Sequence, residues 1–142
     1  MLSEVTQPPA PARARGTRSA RSRLIIALLF AAAGVLHFVV PASYERIVPP
    51  WLPNAQLLVQ VSGVAEMLGA IGVLLAPTRR AAGWGLIALL VAVFPANVYM
   101  LQLAVRDGAS GWWQLALLLR LPLQLLLIRW VFLVTRAPRS GR

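Results

Sequence analysis

The sequence predicts an all-α integral membrane protein, a four-helix transmembrane bundle with its N- and C-termini cytoplasmic. Three observations carry this. Of 142 residues 58% are hydrophobic and 13% charged, with mean hydropathy +0.70, whereas a soluble domain of this size holds roughly 25% charged residues. The apolar residues gather in four long runs, each near the length needed to cross a hydrocarbon core about 30 Å thick. The basic residues are partitioned as well. The fourteen cationic side chains are all arginine, and ten lie in the two tails and the second connection, against only Arg46 and Arg106 in the first and third. Such asymmetry places the arginine-rich side in the cytoplasm.

Taken in order, residues 1–23 are rich in Pro, Ala and Arg (Pro8, Pro9, Pro11; Arg13, Arg15, Arg18, Arg21, Arg23). With no apolar face to bury, they read as a disordered basic tail. The first span is 24–40. Its Ala31-Ala32-Ala33 resembles a signal-peptide cleavage site, but the basic stretch before it is too long and the apolar run continues past it. Residues 41–55 form a connector whose four prolines exclude a regular helix. Tyr44 and Trp51 suit the membrane interface, so the segment reads as a surface lid or an ordinary loop. The second span is 56–76, closed by Pro77-Thr78-Arg79-Arg80; the third is 81–105, closed by the turn from Arg106 to Gly111; the fourth is 112–134, followed by the basic C-terminal tail 135–142.

Charge and cysteine content exclude several function classes. The net charge of +10 lies at span ends and reads as topology-setting flanks, not as a nucleic-acid footprint. The absence of cysteine removes thiol chemistry, disulfides and Cys–zinc sites. One histidine is too few for a multi-His centre, so no metal is expected. Arginine without lysine suits a GC-rich bacterial genome, and hence a bacterial cytoplasmic (inner) membrane.

Each span carries a strongly polar residue that lipid would not accommodate: His37, Glu66, Asn97 and Arg120. A charge at the bilayer centre costs about 2.5–3.5 kcal/mol even on the mildest scale. Counted from the outer end of each span, His37 lies roughly 5 Å deep, Asn97 roughly 10 Å, Arg120 roughly 12 Å and Glu66 roughly 15 Å. All four fall in the outer half, which suggests one pocket opening outward. Small residues one turn away (Ser62, Gly63, Gly69 and Ala70 about Glu66; Ala33 and Gly34 about His37) turn these faces inward. The small stripe Ala88, Ala92, Ala96 lies well around the third helix from Asn97. Gln124 stacks on Arg120 at i+4, and Pro95 and Pro122 deprive the carbonyls of Val91 and Leu118 of their donors. Both prolines read as kinks that mark cavity walls. Glu66 and Arg120, of opposite sign and similar depth, read as an ion pair; failing that, Glu66 pairs with His37 or stays protonated and neutral. Arg129 snorkels to the headgroups. The bland reading of the same residues is interhelical hydrogen bonding, and it applies best to Asn97 and Gln124.

Five segments carry a family resemblance: AGVLHF (Ala33 to Phe38), YERIVPPWLP (Tyr44 to Pro53), SGVAEMLGAIGVLL (Ser62 to Leu75), FPANVYM (Phe94 to Met100) and LRLPLQ (Leu119 to Gln124). In this order on four spans, they resemble the DoxX family of small bacterial membrane proteins over about residues 24–134. The resemblance implies a four-helix membrane bundle and an accessory role in membrane redox or detoxification systems. The family takes its name from a subunit of a thiosulfate:quinone oxidoreductase. His37, Glu66, Pro95, Asn97, Arg120, Pro122 and Gln124 match its motifs. No cysteine is present for a direct thiol-based role.

The leading expectation is therefore a small-molecule or quinone-binding subunit, or an accessory component, of a membrane redox system. Its binding residues are His37, Glu66, Asn97, Arg120 and Gln124. If quinone chemistry occurs, His37 and Glu66 supply the proton donor and acceptor and Arg120 stabilises negative charge; catalytic residues are not assigned. The expected partners are the lipid bilayer and a membrane or soluble oxidoreductase subunit. The alternatives are an oligomeric small-solute or ion transporter, in which four-span copies form a homo-oligomer, and an assembly factor that grips another membrane protein without catalysis.

Overall fold

The computed structural model describes residues 12–136, with side chains from Ser19 onward. Among them the elements are α1 (Ala12–Val39), α2 (Pro41–Glu45), α3 (Ala55–Leu74), α4 (Arg79–Arg106) and α5 (Gly111–Arg136). Four of the five helices are long and apolar enough to cross a membrane. Their outward faces carry exposed leucines such as Leu28, Leu68, Leu125 and Leu126, a surface that requires lipid as its solvent. The chain is a multi-pass helical membrane protein.

Helix ends follow local chemistry. Asn54 caps α3 from a left-handed conformation (φ 47°), accepting the Leu57 amide on Oδ1 at 3.1 Å. At the other end Thr78 donates to the Gly72 carbonyl (3.0 Å) and Arg79 to those of Val73 (3.0 Å) and Leu74 (3.3 Å), satisfying carbonyls that a helix terminus leaves open. Gly108, at φ +67°, makes the left-handed turn between α4 and α5 that a side chain would resist.

Three expectations change. The tail was expected to be irregular to residue 23, yet helix α1 starts at Ala12. Alanine and arginine are strong helix formers, so this basic stretch extends the span; residues 1–11 lie outside the described residues. The expected C-terminal tail likewise begins inside α5, which runs to Arg136. The connector contains a one-turn helix after all, because Pro41 stands at its first position, where a missing amide costs nothing and the fixed φ is favourable.

The helices form a ring in which α1 packs on α3, α3 on α4 and α4 on α5, while α5 and α1 meet only lightly. One end of the bundle is solid. Ile26 and Phe30 from α1, Val73 from α3, Leu86 and Leu90 from α4 and Val131 from α5 interlock there. This closed end holds the start of α1 and the finish of α5. The α1–α3 crossing is tight: a β-carbon on Gly34 would lie 2.7 Å from the Gly63 carbonyl oxygen, and one on Gly63 2.8 Å from the His37 β-carbon.

Candidate functional site

Toward the other, open end the bundle hollows into a cavity of about 570 Å³, within the range of small-molecule sites. Its walls are mainly aliphatic, with Phe30, Val59, Leu90, Val93, Leu123 and Leu127 among them. Tyr44 of α2 and Ile47, Val48 and Leu52 of the connector also line it, so this segment covers the mouth. Trp51 is not among the lining residues and is 69% exposed. The five residues selected from sequence, His37, Glu66, Asn97, Arg120 and Gln124, all line this one cavity.

They divide into two groups. Asn97 and Gln124 are buried and bonded to each other, Asn97 Nδ2 donating to Gln124 Oε1 at 2.7 Å. Gln124 Nε2 in turn donates to the Leu90 carbonyl. These amides tie α4 to α5. The acceptor is Leu90 and not Val91, whose donor Pro95 removes. Neither proline ring lines the cavity; α4 and α5 run on as helix through Pro95 and Pro122, which corrects their reading as cavity walls. Ala92 and Ala96 line the cavity with Asn97, whereas Ala88 faces outward. The wall is broad enough to take both sides of the small stripe.

The second group is His37, Glu66 and Arg120, joined by Tyr44. His37 Nδ1 lies 2.8 Å from the Ala33 carbonyl oxygen; a carbonyl only accepts, so Nδ1 carries a proton. The same nitrogen is 3.3 Å from Glu66 Oε2. That oxygen is buried and has no hydrogen-bond partner among the described residues. The proximity is thus electrostatic, since the Nδ1 proton is directed to Ala33. Glu66 and Arg120 make no ion pair among the described residues, and Arg120 lines the cavity while remaining exposed. The expected Glu66–Arg120 pair is replaced by His37–Glu66 because α1 and α3 touch through Gly34 and Gly63, whereas Arg120 comes from α5, across the hollow part of the ring.

The ring of Tyr44 stacks on His37, centroids 4.0 Å apart and 26° between planes. Burial holds its phenol above the ordinary value of 10.0; the charge of Glu66 adds to that and the Arg120 guanidinium opposes it. Tyr44 therefore stands as a neutral donor under the influence of both charges. Sequence reading placed Tyr44 in a surface lid or loop and Ser62 as a small neighbour, not among the binding residues, yet both line the cavity. The proline-rich break after His37 hides Tyr44, since no helical periodicity crosses it.

Together these groups offer a polar corner for an amphipathic molecule whose apolar part lies along the aliphatic walls. An accessible test of the pairing is a double-mutant cycle read by thermal unfolding in detergent. His37→Leu and Glu66→Gln should show a coupling of about 1 kcal/mol or more, as contacting residues do. Glu66→Gln with Arg120→Leu should show a smaller one, and the reverse order would refute the pairing.

The family described as a domain of unknown function, DUF8561, matches residues 26–135. The chain belongs to the DUF8561 family. The match takes in all of α2, α3 and α4, most of α5 and the part of α1 that builds the cavity. The polar corner is thus a feature of this chain's DUF8561 domain, whose description states no activity. No curated protein and no solved structure matches the chain.

Proposed function

We propose that this DUF8561 protein binds a small amphipathic molecule, a quinone-like lipid being the best fit, as an accessory or binding subunit of a membrane redox system. The observation that carries the reading is one cavity lined by three chemically distinct functions. Glu66 offers an unpartnered buried oxygen, Tyr44 a neutral phenol, and Arg120 a cation on the cavity wall. A carbonyl-bearing ring that gains and loses protons needs such a donor, acceptor and counter-charge. The resemblance to the DoxX family points the same way. The arginine asymmetry supports a bacterial inner-membrane setting with both termini inside, and hence a cavity mouth at the outer leaflet.

Transport is the weaker reading. The interlocked side chains from Ile26 to Val131 leave the closed end without a path of the cavity's width.

The test is equilibrium binding of a short-chain ubiquinone to the full-length protein in neutral detergent. Saturable binding is expected, and binding of the reduced form, whose hydroxyl can donate to Glu66 Oε2, should be weakened at least about ten-fold by Glu66→Gln, a loss equal to one charge-assisted hydrogen bond. Absence of saturable binding, or equal binding of the reduced form by wild type and Glu66→Gln, would overturn the reading.

A further inference from the structure

At the closed end a second, smaller recess of about 250 Å³ opens between the start of α4 and the finish of α5. Arg80 and Arg136 flank it, with Trp84, Ile87, Phe132 and Thr135 between them. The aromatic part is ordered by its own contacts. Trp84 and Phe132 meet edge to face at 5.8 Å, and the Arg136 guanidinium lies 4.2 Å from the centre of Phe132 and 5.5 Å from that of Trp84. Gly83 lies against Thr135, with no room for a β-carbon, so the two helices are in close contact beside the recess.

Charge at this end is unbalanced. The described carboxylates are Glu45 in α2, Glu66 in the cavity and Asp107 at the far end of α4, so none lies at the closed end. Two of the neighbouring arginines are engaged locally: Arg23 donates to Ser19 at 2.7 Å and Arg79 to the last carbonyls of α3. Arg80 makes no hydrogen bond or ion pair among the described residues. Arg136 is held by rings and faces no carboxylate among them. Two guanidinium groups of fixed charge, set over an aromatic floor at the end of membrane-spanning helices, have the right chemistry for a phosphate. Trp84, 52% exposed, continues the floor onto the lipid-facing surface, where an acyl chain would run.

We propose that this recess is a binding site for the phosphate headgroup of an anionic phospholipid, held by Arg80 and Arg136. Its chemistry is independent of the larger cavity, and lipid there bridges α4 and α5 at the closed end, away from the Asn97–Gln124 link.

The test is a titration of the full-length protein, purified in neutral detergent, with phosphatidylglycerol, with phosphatidylcholine and with inorganic phosphate at matched ionic strength. Phosphatidylglycerol should bind saturably, the other two much more weakly. Arg80→Gln with Arg136→Gln should weaken phosphatidylglycerol binding on the order of thirty-fold, the product of two cationic contacts near the membrane surface. Arg80→Gln alone, at a side chain with no internal partner to lose, should weaken it on the order of five-fold and keeps the test valid if the double variant does not fold. Arg106→Gln, at the opposite end beside Asp107, should change it less than two-fold. Three results would overturn the proposal: equal loss in the Arg106 variant, phosphatidylcholine bound as tightly, or inorganic phosphate bound as tightly as the lipid.

Discussion

Gly34→Ala should destabilise the protein by about 1–3 kcal/mol, the usual cost of forcing a methyl group into a filled contact. The obstruction is the Gly63 carbonyl oxygen, 2.7 Å from where the β-carbon would sit, together with Met67 Cγ at 2.8 Å. A side chain can rotate aside, but a helix backbone yields only by moving the whole of α3. Gly34→Val should be worse than Gly34→Ala and should separate the His37–Glu66 contact as α1 shifts. Gly85 is the control. Nothing lies within 4 Å of its would-be β-carbon, so Gly85→Ala should be neutral or add up to about 1 kcal/mol through helix propensity. Thermal unfolding in one detergent checks all three. If Gly34→Ala and Gly85→Ala behave alike, the α1–α3 crossing is not limiting.

Ala96→Phe should remove quinone binding while leaving the fold intact. Ala96 lies on the cavity wall one residue before Asn97, and a cavity of about 570 Å³ has room for a phenyl ring without displacing a packed neighbour. Filling an apolar hollow ordinarily stabilises a protein by about 0.5–2 kcal/mol, so the unfolding temperature should hold or rise. Ubiquinone affinity should fall by about a hundred-fold, because the ring occupies the ligand's own volume. Ala88→Phe, two turns away on an exposed position of the same helix, should do neither. Unaltered affinity in Ala96→Phe would mean that quinone binds elsewhere.

The four spans were legible because lipid imposes one rule along the whole chain: an apolar run of sufficient length must be a closed hydrogen-bonded helix. The cluster of polar residues was legible for the same reason, since depth along a helix follows from counting residues. Pairing was not. Counting gives height but not azimuth, so Glu66 and Arg120 looked like neighbours when the α1–α3 glycine contact had already placed His37 beside Glu66. Glycines show that two helices approach, but not which two. The covering segment failed differently. Four prolines correctly broke the span, yet Pro41 at a helix start is favourable, and that single turn carries Tyr44 onto His37. The amphipathic side of such a short element has no period to read. The N-terminal stretch was misjudged by composition: its arginines suggested a tail, while its alanines and the following span sustain a helix from Ala12.

The light contact between α5 and α1 has a mechanical meaning. A ring with three firm joints and one weak joint does not resist deformation equally in all directions; it springs open at the weak joint. Beyond the interlocked closed end, α1 is supported chiefly by α3 and α5 chiefly by α4, so the upper bundle behaves as two jaws on a stiff base. Amide hydrogen exchange should therefore grade along each helix, slowest around Val73, Leu86 and Val131 and fastest toward the connector. On the proposed function, a hydrophobic guest would enter sideways at this joint, directly from the membrane interior, without crossing water.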